Sequence, residues 1–164
     1  MERLAALTGQ LDAAEDRDNA RALHGRIAVL GAYIKRRSNL VFLSDETGAV
    51  SSRELLLCLN ESMSNLRLAG MDCAVSLDGE EPMDGAAAGR LYDFFEAAVE
   101  EVWQRLPAMD VMVARTDPGW RMTLMLEWDG ALPALRRRFP EAEVERDEEL
   151  CYCRLTVRKG GAPV

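Results

Sequence analysis

The apolar residues of this chain change period near Gly70, and that change does most to limit the folds open to it. Before Gly70 they recur every three to four residues; after it, much of the chain alternates apolar with polar. The first pattern belongs to helices with one buried stripe, the second to strands with one buried face. From Glu2 to about Asn39 there is no proline. Leu4, Leu7, Leu11 and Ala14 keep the helical spacing, and Ala20, Leu23, Ile27, Leu30 and Ile34 resume it with a shift of phase. The spacing predicts one long helix with a bundle-type seam and a stutter between the two sets. SDETG (44–48) supplies a turn, and SSRELLLCLNESMSNLRLAG (51–70) a second helix. Ser51 and Glu54 are spaced as a capping box, Leu56, Leu59, Met63 and Leu66 form the stripe, and Gly70 is the stop. One hairpin leaves two such stripes partly uncovered. The expectation over 1–70 is therefore a helical hairpin that pairs with a second copy as a four-helix bundle.

The rest of the chain, 71–164, reads as a sandwich. DCAVSLDG (72–79) alternates as a strand. PMDGAAAGRLYDFFEAAVEEVWQRL (82–106) is a helix from about Asp84 or Gly85, with Leu91, Phe94, Phe95, Ala98, Val102 and Leu106 on one face. MDVMVART (109–116) and WRMTLMLEW (120–128) flank a TDPG turn. LPALRRRF (132–139) is a short helix, EAEVERDEELCYCRLTVRK (141–159) a closing hairpin, and KGGAPV a frayed tail. Helices on one face of a mostly antiparallel sheet make the whole chain α+β.

At 48% apolar the chain can bury a core, but its longest apolar run, IAVLGAYI (27–34), is far short of a membrane span, which needs about 20 residues. The N-terminal stretch lacks the basic and apolar regions of a signal peptide. A net charge of −8 argues against a nucleic-acid partner. The basic runs Lys35-Arg36-Arg37 and Arg136-Arg137-Arg138 read as solvated helix faces. Cys58, Cys73, Cys151 and Cys153 lack metal-ligand spacing, so no metal site is expected. They read as buried, reduced cysteines of a cytoplasmic protein.

His24, the single histidine of the chain, sits beside the apolar seam within EDRDNARALHGRI (15–27). This stretch resembles the phosphoacceptor helix of sensor histidine kinases. LYDFFEAAVEEVW (91–103) is similar to the helix that opens the nucleotide site of their ATP-binding domain. The resemblance implies a two-component signal-transduction protein: a homodimer on a four-helix bundle, with His24 as phosphoacceptor and a response-regulator receiver domain as partner. An imidazole can act as a nucleophile near neutral pH without further activation.

The departures from that family are specific. Its acidic residue after the histidine is here Gly25. Of its Glu-x-x-x-Asn magnesium pattern, Glu96 matches the first residue, but Glu100 stands where the asparagine would be. Asp129-Gly130-Ala131 keeps the adenine-reading aspartate of Asp-x-Gly but loses the second glycine. No glycine follows Gly130 until Gly160, so the glycine-rich lid over the phosphates is missing. Glu96, Glu100 and Asp129 thus make a degenerate Mg-ATP site, and the expected cofactor is none, or Mg-ATP only if that site still binds. The implied activity is that of a pseudokinase-like phosphotransferase of the sporulation type, or residual histidine kinase activity. The alternative is a non-catalytic dimeric scaffold that docks a signalling partner.

Overall fold

The computed structural model describes residues 2–13, 17–103, 105, 108–117 and 119–158. In chain order these form α1 (Glu2–Asp12), α2 (Arg17–Thr47), β1 (Ala49–Ser51), α3 (Ser52–Leu68), β2 (Cys73–Asp78), β3 (Pro82–Asp84), α4 (Gly85–Val102), β4 (Met109–Arg115), β5 (Gly119–Glu127), α5 (Pro133–Arg138), β6 (Glu143–Asp147) and β7 (Leu150–Arg158). The fold is α+β, with a helical hairpin at its N-terminal end.

Five strands lie in the order β2-β4-β5-β7-β6, antiparallel except for the β2–β4 pair. The strand periodicity fixes which residues face inward. Val75, Val111, Leu124 and Cys153 share one register row, and Leu77, Val113, Met122 and Leu155 the next. Onto these rows α4 lays Leu91, Phe94, Phe95, Ala98 and Val102, each 1% exposed or less. That is the face its spacing predicts; Leu106 lies outside the described residues, as do Ala14 of the first stripe and the KGGAPV tail. The Asp84 carboxylate caps α4, accepting from Ala86 and Ala87 N–H at 2.9 and 3.4 Å.

Two expectations need correction. First, the N-terminal stretch is two helices. α1 folds back on α2, with Leu7 beside Val29 and Leu30, so the phase shift marks a chain reversal rather than a stutter. Second, SDETG is not a turn between hairpin helices. Its first four residues complete α2, and Gly48 follows the helix end with a φ of +69° that suits glycine. The expected hairpin is present: α3 runs antiparallel to α2, with Gly25 against Ala69 and Arg36 paired to Glu61. On its other side α3 packs on β2 and α4, and it is anchored at its start by the two-stranded β1–β3 ribbon. Its Leu55, Leu59, Met63 and Leu66 are fully buried, while Leu56 lies at the stripe's edge. The hairpin is therefore α2–α3, with α1 folded back on α2 as an added helix, and the stripe of α3 is covered inside the chain. An amphipathic stripe records that something covers a helix, not what does. The stop at Gly70 holds: Met71 N–H bonds Leu66 O and Gly70 N–H bonds Arg67 O, both at 3.0 Å, a Schellman closure.

Candidate functional site

Glu96 and Glu100 stand one turn apart on α4, as the i, i+4 spacing requires. Glu96 lies on the buried side with its side chain only 7% exposed, and it is doubly ion-paired. Its Oε1 accepts from Arg3 of α1 at 3.0 Å and its Oε2 from Arg138 of α5 at 3.2 Å. Glu100 pairs with the same Arg3 guanidinium and, at 3.6 Å, with Arg26 of α2. A buried carboxylate needs such partners. Here they are three arginines from three elements, which occupy the oxygens that a hard cation would use. Burial opposes charge on Arg138, but Glu96 and Tyr33 together outweigh it and raise the arginine's pKa.

The next residue, Glu101, fixes α5. Its two carboxylate oxygens accept from Ala134 and Leu135 N–H at 2.9 and 2.7 Å. Leu135 and Phe139 are buried, and the Phe139 ring meets Phe94 edge-on at 5.2 Å. The segment that lacks the family's lid glycines is thus a helix docked on α4. Asp129 does not join the two glutamates. It is exposed and paired with Arg105, which contacts neither Glu96 nor Glu100 among the ion pairs of the described residues. The Arg105 guanidinium also lies 5.0 Å over the Trp128 ring, and Arg146 donates to the backbone oxygens of Asp129 and Gly130.

His24 is exposed on α2. Its Nδ1 lies 2.9 Å from Ala20 O. A carbonyl only accepts, so Nδ1 carries the proton and Nε2 is left with the lone pair. Gly25 faces inward. A β-carbon there would lie 2.9 Å from Ala69 Cβ and 3.7 Å from Trp103 Cζ2. The position after the histidine is closed to an acidic side chain by packing.

Beyond these residues, Asp93 accepts from Tyr33 Oη at 2.8 Å and from Arg37 Nε at 2.7 Å, tying α2 to α4. Gly89 makes room for this contact, since a β-carbon there would lie 2.8 Å from Arg37 Cζ. Burial, then the Asp93 carboxylate, pushes the Tyr33 hydroxyl up to about 12. The basic runs expected to be solvated are only partly so. Arg36 pairs with Glu61, Arg37 with Asp93 and Arg138 with Glu96, while Arg136 and Arg137 are exposed. Arg3 meets Glu96 from 93 positions away, a pairing that no local spacing announces. The one signal was Glu96 itself, a carboxylate on an apolar helix face, which demands a cation above it.

Among the described residues no cluster of three or more His, Cys, Asp or Glu side chains is placed to hold a metal, and no helix is long and apolar enough to cross a membrane.

No protein-family model matches the chain, and no curated protein does. Solved structures do match. A bacterial phosphotransferase aligns over 92% of this chain and 85% of its own, with a TM-score of 0.53 at 9% identity. The histidine kinase domain of the blue-light activated histidine kinase EL346 from Erythrobacter litoralis aligns over 94% of both chains, with a TM-score of 0.50 at 11% identity. A second structure of that kinase covers 86% of this chain and 62% of its own, with a TM-score of 0.51 at 14% identity. At these identities what is shared is the fold: the chain is built as histidine kinase domains are built.

Proposed function

We propose that this chain is a two-component signalling protein of histidine-kinase fold that works without ATP and relays phosphoryl groups through His24. The observation that carries the ATP-free part is the capture of Glu96 and Glu100 by Arg3, Arg26 and Arg138. Mg-ATP would have to displace these cations and would find neither a glycine-rich lid nor Asp129 beside them. His24 supports the relay. Its Nε2 lone pair attacks the phosphorus of a receiver aspartyl phosphate, an N–P bond forms, the P–O bond breaks, and the receiver carboxylate leaves. The proton stays on Nδ1, where Ala20 O holds it. The partner in this reading is a response-regulator receiver domain, and the four buried free cysteines favour a reducing, cytoplasmic setting. The chain acts as a homodimer, for which Val41 and Phe42 of α2, 45% and 70% exposed, are available surface.

A second reading, a dimeric scaffold without chemistry, is favoured by Gly25. Its contact with Ala69 leaves His24 without an acidic neighbour in sequence. The test mixes wild type and His24→Ala with a phosphorylated receiver domain carrying labelled phosphate. Label on wild type and none on the variant is the expected result. Label on neither, with a receiver shown competent toward another acceptor, leaves the scaffold.

A further inference from the structure

We propose that the cleft between the β1–β3 ribbon and the end of the sheet binds a small organic carboxylate, a monoanion with a flat apolar body. The cleft has a volume of about 300 Å³ and is closed by the start of α4 and by the neighbouring ends of β4, β5 and β7. That is enough for a small ligand. Ala49 and Pro82 of the ribbon, both exposed, give it apolar walls, and Met83 and Trp120 back them. Strand register brings its two cations to one end of the sheet. Arg115 stands opposite Trp120 in the β4–β5 pair, and Arg158 opposite Gly119 in the β5–β7 pair.

The two arginines are held differently, and the difference suits a carboxylate. Arg115 is pinned. Its Nε donates to Glu81 at 3.1 Å, and its Nη1 to Thr116 O and Gly119 O at 2.9 and 2.6 Å. Its guanidinium also lies 6.0 Å over the Trp120 ring. Among the described residues its Nη2 meets no acceptor, so oriented N–H donors remain on a side chain already fixed in place. Arg158 is exposed, and among the described residues its guanidinium has no partner. A fixed donor loses little freedom on binding, and a free guanidinium beside it adds a second charge-assisted contact. The charge of the ligand is limited from the other side. Asp84 lines the same cleft while its Oδ1 caps α4, and Glu81 sits on Arg115. Two carboxylates beside two guanidiniums disfavour a dianion such as phosphate. A monoanion takes the unfilled donors and lays its body on the apolar walls. This inference does not depend on phosphoryl transfer.

The probe is benzoate, titrated into the full chain while NMR follows the indole N–H signal of Trp120, assigned with Trp120→Phe. The expected result is a saturable shift of that signal with a Kd of about 1 mM or tighter. Arg158→Gln, an exposed change at a strand end, should weaken binding at least about tenfold. Arg115→Lys keeps the charge but loses the forked donors, and it should weaken binding as well. Inorganic phosphate lacks the apolar body and benzylamine the negative charge, and each should bind at least about tenfold more weakly than benzoate. Unchanged indole signals of Trp103 and Trp128 in Arg158→Gln verify that the variant is folded. No saturable shift, an affinity unchanged in Arg158→Gln, or phosphate or benzylamine binding as tightly as benzoate would each overturn the proposal.

Discussion

Gly25 lies so close to Ala69 that a β-carbon placed on it would sit 2.9 Å from the Ala69 β-carbon. This contact sets the N-terminal half of α2 against the turn after α3 and turns His24, one residue earlier, toward solvent. Gly31, two turns on, is the internal control, because a β-carbon there meets nothing within 4 Å. Alanine at either position gains about 1 kcal/mol of helix propensity. At Gly25 that gain is set against overpacking, which costs about 1–3 kcal/mol. Urea unfolding should therefore show Gly25→Ala destabilised by up to about 2 kcal/mol and Gly31→Ala stabilised by up to about 1 kcal/mol.

Tyr33 gives the fold an alkaline limit. Burial and Asp93 hold its hydroxyl protonated up to about 12, against 10.0 for a free tyrosine. The folded state thus retains a proton that the unfolded chain gives up first. The stabilisation is complete below pH 10.0 and is lost as the pH rises toward about 12. Tyr33→Phe should cost about 1 kcal/mol at neutral pH through the lost hydrogen bond to Asp93. Its stability should then fall less steeply than wild type between those two pH values, which denaturant titrations at stepped pH would measure.

The cysteines are expected to be silent in the folded protein. All four are buried, and burial pushes the Cys58 thiol up to about 11 and raises Cys73 and Cys153 as well. The thiolate is the reactive form. A thiol reagent at pH 8 should label none of them until denaturant is added, and the labelling rate should then follow unfolding. Labelling of Cys58 in the native protein at the rate of a free thiol would contradict the packing of α3 against α2.

Much of the sandwich was legible because local rules decide it. Ser51 and Asp84 cap the helices they precede, Gly70 closes α3, and the alternation in 109–116 and 120–128 yields the β4–β5 pair. The N-terminal third was misread for an equally physical reason. The stripe Leu4-Leu7-Leu11 records only that α1 is covered on one face, and both a continuous helix and a reversal satisfy it. Ser44, Asp45 and Glu46 resemble a turn but tolerate a helix whose end is set by Gly48. At the candidate site the sequence picked out His24, Glu96, Glu100 and Asp129. It had no means of bringing Arg3, Arg26 and Arg138 onto the two glutamates. That convergence is a tertiary fact, and it changes the meaning of the carboxylates from ligands in waiting to partners already engaged.

The ATP-free reading stands on those ion pairs, so the most direct measurement is a calorimetric titration with Mg-ATP of wild type beside Glu96→Gln. The expected result is no saturable heat for either protein up to about 1 mM nucleotide, the upper end of ordinary enzyme–substrate affinities. Saturable binding by wild type that disappears in Glu96→Gln would contradict the account. It would mean that the arginines yield the two carboxylates to magnesium and that the nucleotide site is intact in function.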